Sequence, residues 1–252
     1  MTVLRFLPLS LLASLLVLVA GSAFADDVKV LAAVGYKPVL ADLAPSYEKQ
    51  SGNKIHVEYD SVSAIARRVA NNEFFDIVIS TQDAVEKFAA DKKVIDDTLT
   101  VLAKVGVGVA TRLGDPWPQV ASLEALRRTL LNAHAIAYAS PSAGGSFYPQ
   151  LFQRLGVWSE VQRKSVTVVG ALAAQRVASN QADVALALSS EIVSVPGVRF
   201  AGAIPAALQS YIVFAAAMGP QASNSDAVMG LMAWISNVEL DPLLRAKGME
   251  IP

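Results

Sequence analysis

Cysteine is absent from the sequence, which excludes a disulfide framework, a thiolate zinc site and a lipid attached through cysteine. Histidine occurs only at His56 and His134. Neither has a second histidine nearby, so no metal centre and no cofactor is expected. An excess of either charge is lacking too, since 21 Lys and Arg oppose 22 Asp and Glu, scattered along the chain. That leaves no basic stripe for nucleic acid and no polybasic patch for a membrane surface. Three enzyme signatures are also missing: the Gly-x-Ser-x-Gly elbow, the His-Glu-x-x-His helix and the phosphate loop ending in Gly-Lys-Ser or Gly-Lys-Thr. Nothing in the residues suggests a catalytic set.

One long apolar run is present, over residues 7–20, preceded by Arg5 and followed by Ala23-Phe24-Ala25 before Asp26-Asp27. It is shorter than the ~20 residues needed to span a bilayer. With a small-x-small sequence behind it, the run reads as a secretory signal cleaved after Ala25. The expectation is a periplasmic monomer free in solution, with no stable membrane insertion. The remainder, about 225 residues, exceeds a typical domain of ~100–150.

After Asp27 short apolar runs alternate with amphipathic stretches, as in parallel strands joined by helices. Strands are expected at 28–33, 55–59 and 75–80, with helices at 39–51, 63–70 and 83–90. One long strand is expected over 101–111, closed by the breaker Gly114-Asp115-Pro116-Trp117-Pro118. A second set follows, with helices at 123–131, 148–155 and 172–180 and strands at 135–139, 166–169 and 184–188. Returning strands at 198–201 and 211–217 and helices at 226–236 and 242–247 complete the pattern, with Gly248 as a helix-ending residue. The fold class is α/β with two lobes, hinged by two crossover strands around a ligand cleft. The expected divisions are 1–25 for the signal, 26–105 for the first lobe, 106–206 for the second and 207–252 for the return to the first.

Four turns join a strand end to a helix start: Val34-Gly35-Tyr36-Lys37, Asp60-Ser61-Val62-Ser63, Ser142-Ala143-Gly144-Gly145-Ser146 and Gly170-Ala171. Helix starts leave backbone N–H groups unpaired and favour negative charge. Each turn alone is an ordinary cap, but four of them converging on one cleft would hold an anion. Trp117 and Trp158 read as packing residues, Arg67-Arg68 as a solvated helix face, and Lys37 as the cation most suited to touch a ligand.

The stretches Val30-Leu31-Ala32-Ala33, Tyr47-Glu48-Lys49-Gln50-Ser51-Gly52, Ile65-Ala66-Arg67-Arg68, Phe75-Asp76-Ile77-Val78-Ile79-Ser80 and Leu155-Gly156-Val157-Trp158 occur in an order and spacing that resembles the periplasmic molybdate-binding proteins. This family has the type II solute-binding fold. The resemblance implies capture of a small anion and transient delivery to the permease of an ABC importer. It also implies an anion held by two first-lobe serines, a tyrosine after a late strand and second-lobe backbone N–H groups. The corresponding positions here are Gly35, Val62 flanked by Ser61 and Ser63, Leu188, and Gly144 and Gly170.

Three hydroxyls are therefore missing, or two if the second turn aligns one residue over, where a serine stands on either side of Val62. A hydrogen bond to a charged group contributes about 1.5–3 kcal/mol, so their loss removes on the order of 5 kcal/mol, more than a thousandfold in affinity. Replacement donors lie close in sequence: Ser61, Ser63, Tyr36, Tyr148 and Ser189, with Gly145 and Ser146 in the second-lobe turn. A larger organic carboxylate would use the space vacated at Gly35 and Leu188, with Tyr36, Lys37 and Tyr148 lining it. Oxyanion and organic anion both remain open at this point. Two other functions fit the same fold: a sensor or adaptor for a membrane receptor, and a secreted enzyme.

Overall fold

The computed structural model describes residues 27–139, 147–168, 173–222 and 226–252. Two five-stranded sheets organise it. In the first, β1 (Asp27–Ala33), β2 (Lys54–Asp60) and β3 (Ile77–Thr81) run parallel, and β4 (Thr100–Val105) closes the edge. The second contains β5 (Val107–Arg112), β6 (Ile136–Ala139), β7 (Ser165–Val168), β8 (Val184–Leu188) and β9 (Val198–Ala203), in the order β7-β6-β8-β5-β9. The chain then returns through β10 (Ile212–Met218) to the first sheet, which reads β2-β1-β3-β10-β4.

Helices cover both sheets: α1 (Lys37–Ser51), α2 (Val62–Ala70) and α3 (Gln82–Ala90) follow the first three strands. Gly52 ends α1 in the left-handed conformation, φ 79°, where a side chain would strain the backbone. In the second lobe lie α4 (Leu123–Asn132), α5 (Phe147–Arg154), α6 (Trp158–Arg163), α7 (Ala173–Ala178) and α8 (Ser189–Val193). The C-terminal α9 (Asp226–Ile235) and α10 (Asp241–Ala246) pack on the first lobe, where Leu231 and Leu244 join the core. The second sheet is covered on both faces. Ile136 and Tyr138 enter one cluster while Ala137 enters the other, as the two-residue period of a strand requires.

Three expectations need correction. The long strand expected at 101–111 is two strands in different sheets, broken at Gly106. The break falls there because the Gln209 side chain pairs with the next residue: Val107 N–H donates to its Oε1 at 2.7 Å and its Nε2 donates to Val107 O at 2.9 Å. A Cβ on Gly106 would stand 2.9 Å from that amide. Helices α6 and α8 were not expected, being too short for a helical period to show. Trp117 is 57% exposed rather than packed inside. Its indole N–H donates to Ala201 O at 3.0 Å and the Arg199 guanidinium lies 5.0 Å from the ring centroid, so it is fixed from the surface.

Candidate functional site

Strand directions decide where a ligand can sit. In each sheet three parallel strands point their carboxyl ends the same way, β1 to β3 in one and β6 to β8 in the other. The last residue of β8, Leu188, pairs with the first residue of β5, Val107. The last residue of β4, Val105, pairs with the first of β10, Ile212, and β10 also runs antiparallel to β3. Gly106 alone separates β4 from β5, so the carboxyl edges of both sheets meet at the hinge. Ligands in α/β sheets bind at such ends.

On the first-lobe side, Gly35 lies in the 3-10 turn Val34–Tyr36. A Cβ added there would meet Phe214 Cζ at 2.7 Å, so the space expected to be vacant for a ligand at Gly35 is instead filled by a neighbouring ring. Tyr36 points into the core instead of lining the cleft: it is fully buried, its ring centroid lies 5.6 Å from that of Phe214, and its hydroxyl has no partner. Burial pushes that hydroxyl's pKa well up, so it stays a neutral donor. Lys37 is exposed, with its ammonium 5.3 Å from the Tyr59 ring centroid.

The second turn is a cap. Ser61 Oγ accepts from Ala64 N–H at 3.2 Å and lies 3.2 Å from Ser63 Oγ, while Ser61 N–H donates to Asp60 Oδ1 at 2.8 Å. Both serines are exposed and Val62 is half-buried between them. Arg68 belongs elsewhere. It pairs with Glu73 and Glu58, and Lys29 bridges the same two carboxylates at 3.0 and 3.1 Å. The Arg68 guanidinium, followed by Lys29, holds the Glu73 pKa down at about 2. Arg67 is exposed on the same helix.

On the second-lobe side, Gly144, Gly145, Ser146 and Gly170 lie outside the described residues. Tyr148 is mostly buried, its ring edge-on to Phe147 at 5.2 Å. Burial, and then the Glu191 charge, push its hydroxyl pKa up. Leu188 is half-buried and packs against the cores of both lobes. Ser189 does not offer a free hydroxyl, because its N–H and its Oγ both donate to Gly106 O, at 2.9 and 3.1 Å. A cavity of about 260 Å³ opens beside the hinge, lined by Gly106, Ser189, Gln209, Tyr211, Arg245 and Gly248 among others. Of the expected site residues that are described, Ser189 alone reaches it.

Two residues at this edge escaped the sequence reading. Ser190 is 1% exposed with an unpartnered hydroxyl. Glu191 is half-buried, and desolvation raises its pKa to about 7 against the pull of a hydrogen bond from the Leu188 backbone. Its place three residues past the N-cap is the acidic half of a capping box. The signal was hidden because Leu188, not serine or threonine, holds the cap. Among the described residues no group of three His, Cys, Asp or Glu side chains could hold a metal.

This architecture, with two α/β lobes meeting at their carboxyl edges over a double crossover, defines a type II solute-binding protein. A model of the bacterial extracellular solute-binding proteins matches residues 28–250, and the chain belongs to that family. The chain is 26% identical over 226 residues to an aconitate isomerase of a Pseudomonas species, covering 88% of this chain and 86% of that protein. It is 29% identical over 196 residues to the molybdate-binding protein ModA of Escherichia coli, covering 74% of this chain and 76% of that one. Among solved structures, the substrate-binding domain of a putative molybdenum ABC transporter from Clostridium difficile superposes with a TM-score of 0.75 at 17% identity, covering 90% of this chain and all of that one. The family is molybdate-binding-like. Among the described residues no helix is long and apolar enough to cross a membrane.

Proposed function

We propose that the chain is the periplasmic receptor of an ABC importer and that its ligand is a small organic polycarboxylate rather than a bare oxyanion. The observation that carries the choice of ligand is the Phe214 ring beside Gly35, which takes the space a serine side chain would need. Val62 and Leu188 make the other two family positions apolar as well. With no hydroxyl at any of the three positions, the site suits a ligand with a carbon skeleton better than a bare oxyanion. Support also comes from the relative named as an aconitate isomerase, which is matched over more of this chain than the molybdate-binding one. The family and the N-terminal pattern support delivery to a permease and export behind a signal cleaved after Ala25.

Calorimetry with molybdate, tungstate, sulfate, citrate, tricarballylate and cis- and trans-aconitate tests this. Micromolar or tighter binding of a tricarboxylate is expected, with molybdate at least a hundredfold weaker; nanomolar molybdate binding would defeat the reading. In the same titrations Lys37→Ala should weaken the tricarboxylate about tenfold, the worth of one charge-assisted contact. Unchanged affinity would remove Lys37 from the site.

Turnover is the second reading, favoured by Glu191, whose pKa of about 7 suits a group that takes up and returns a proton. Proton NMR of cis-aconitate incubated with the protein in deuterium oxide decides it. Conversion to the trans isomer with deuterium incorporation marks an enzyme, and stoichiometric binding without conversion marks a receptor.

A further inference from the structure

We propose that the cavity beside the hinge is a second binding site, separate from the cleft, and that its ligand is a small zwitterion with an apolar tail, an amino acid of the leucine kind. The proposal does not depend on which anion the cleft takes.

The walls come from both lobes. Phe200 of β9 and Ser189 stand on the second-lobe side, Tyr211, Arg245 and Glu250 on the first-lobe side, and Gly106 between them. Strand order sets the cavity apart from the expected cleft. β9 and β4 are edge strands of their sheets, opposite the edges formed by β7 and β2, whereas the turns expected to hold the anion follow β1, β2, β6 and β7. Lys37, Ser61, Ser63 and Leu188 all lie outside the lining. The backbone itself makes the room: Gly108, two residues after Gly106, has the Phe200 ring where a Cβ would stand.

The polar groups of the inner wall are already engaged. Ser189 Oγ donates to Gly106 O, and the Gln209 amide pairs with Val107. What remains for a guest is charge of both signs and a hydroxyl. Arg245 donates through Nε to Asp241 Oδ2 at 2.8 Å, which leaves the two terminal nitrogens of its fork free among the described residues. Glu250 is pinned by its backbone, which pairs with that of Lys104 in both directions at 2.8 and 2.9 Å. Its carboxylate stands 3.8 Å from the Lys104 ammonium, beyond hydrogen-bond reach. The Tyr211 ring lies under the same ammonium, 5.5 Å from its centroid, and its hydroxyl has no partner among the described residues.

The charges around the cavity balance, Arg245 and Lys104 against Asp241 and Glu250, and so they fit a guest with no net charge. A zwitterion uses both signs. Its carboxylate can take the two open guanidinium nitrogens, a pairing among the stronger and more directional kind, while its ammonium donates to Glu250. The tail then falls to the Phe200 ring, Ala203 and Met249, the apolar part of the lining. Size agrees: about 260 Å³ lies just under the ~300 Å³ at which pockets for drug-sized ligands begin.

The test is an NMR titration of the full chain with leucine, N-acetylleucine and leucinamide, which share one tail and carry both charges, the negative alone and the positive alone. Leucine should bind at least tenfold tighter than either analogue, the worth of one charge-assisted contact, and excess tricarballylate should not displace it. Glu250→Gln should erase the preference for leucine over N-acetylleucine, and Arg245→Gln the preference over leucinamide. Ala203→Trp, which fills the cavity from an exposed position, should abolish leucine binding while the protein still melts cooperatively. Equal binding of the three compounds, no binding of leucine, its displacement by tricarballylate, or variants that keep both preferences would each overturn the proposal. Should tricarballylate itself fail to bind, the reading of the cleft falls, and the three leucine compounds still decide this one.

Discussion

Gly35→Ser should destabilise the protein by about 1–3 kcal/mol, the usual penalty of overpacking a filled core. The added Cβ would sit 2.7 Å from the tip of the Phe214 ring. That ring is 2% exposed and wedged against Tyr36, so it has little room to retreat. The backbone at residue 35 is not left-handed, so no conformational strain confuses the result. Phe214→Ala alone should lose about 3–5 kcal/mol through the cavity it leaves. Combining the two should cost less than their sum, by about 1–2 kcal/mol, because the serine then enters space the ring has vacated. Urea midpoints for the four proteins measure this. The double variant should also gain affinity for sulfate or molybdate, since a hydroxyl now stands where the molybdate-binding family is expected to present one. A single Gly35→Ser variant with an unchanged midpoint would mean that the ring yields freely, and the case for an organic ligand would lose its main support.

Gly248→Ala should be the more damaging change for binding. Gly248 follows α10 at φ 70°, and a Cβ there would lie 2.7 Å from Ser189 C, 2.8 Å from Ser189 O and 2.9 Å from Ser190 N. These are backbone atoms at the start of α8, which cannot swing aside as a side chain can. The strain of a left-handed alanine adds about 1 kcal/mol. Together the two should remove about 2–4 kcal/mol of stability, and separating the C-terminal segment from α8 should weaken ligand binding more than tenfold. Gly52→Ala is the control: its φ is 79° but a Cβ there meets nothing within 4 Å. It should lose only the strain term and bind ligand normally. If both variants melt and bind alike, the contact between Gly248 and Ser189 does not link the lobes.

Much of the fold could be read from residue order. Strand β8 has the expected bounds, α1 ends at Gly52, and the alternation of strands and helices gives two α/β sets. Local patterns suffice for such elements because each is long enough to show its period. The break at Gly106 was not legible, since the residues on either side continue one apolar strand pattern. Only the Gln209 amide, 102 residues away, divides it. The site was partly legible for the same reason. Ser61 and Ser63 could be placed at a helix start from sequence alone, but the inward turn of Tyr36 depends on Phe214, whose strand comes from the far end of the chain. Glu191 went unseen because a leucine caps its helix.

The hinge has a further consequence. Gln209 belongs to one crossover and Val107 opens β5 directly after the other, and the side-chain amide of the first pairs with the backbone of the second as a strand neighbour would. Spliced in this way, the two tethers cannot slide past each other, which suppresses shear and leaves swing about a single axis. The size of a molecule held between the lobes would then be recorded as one angle.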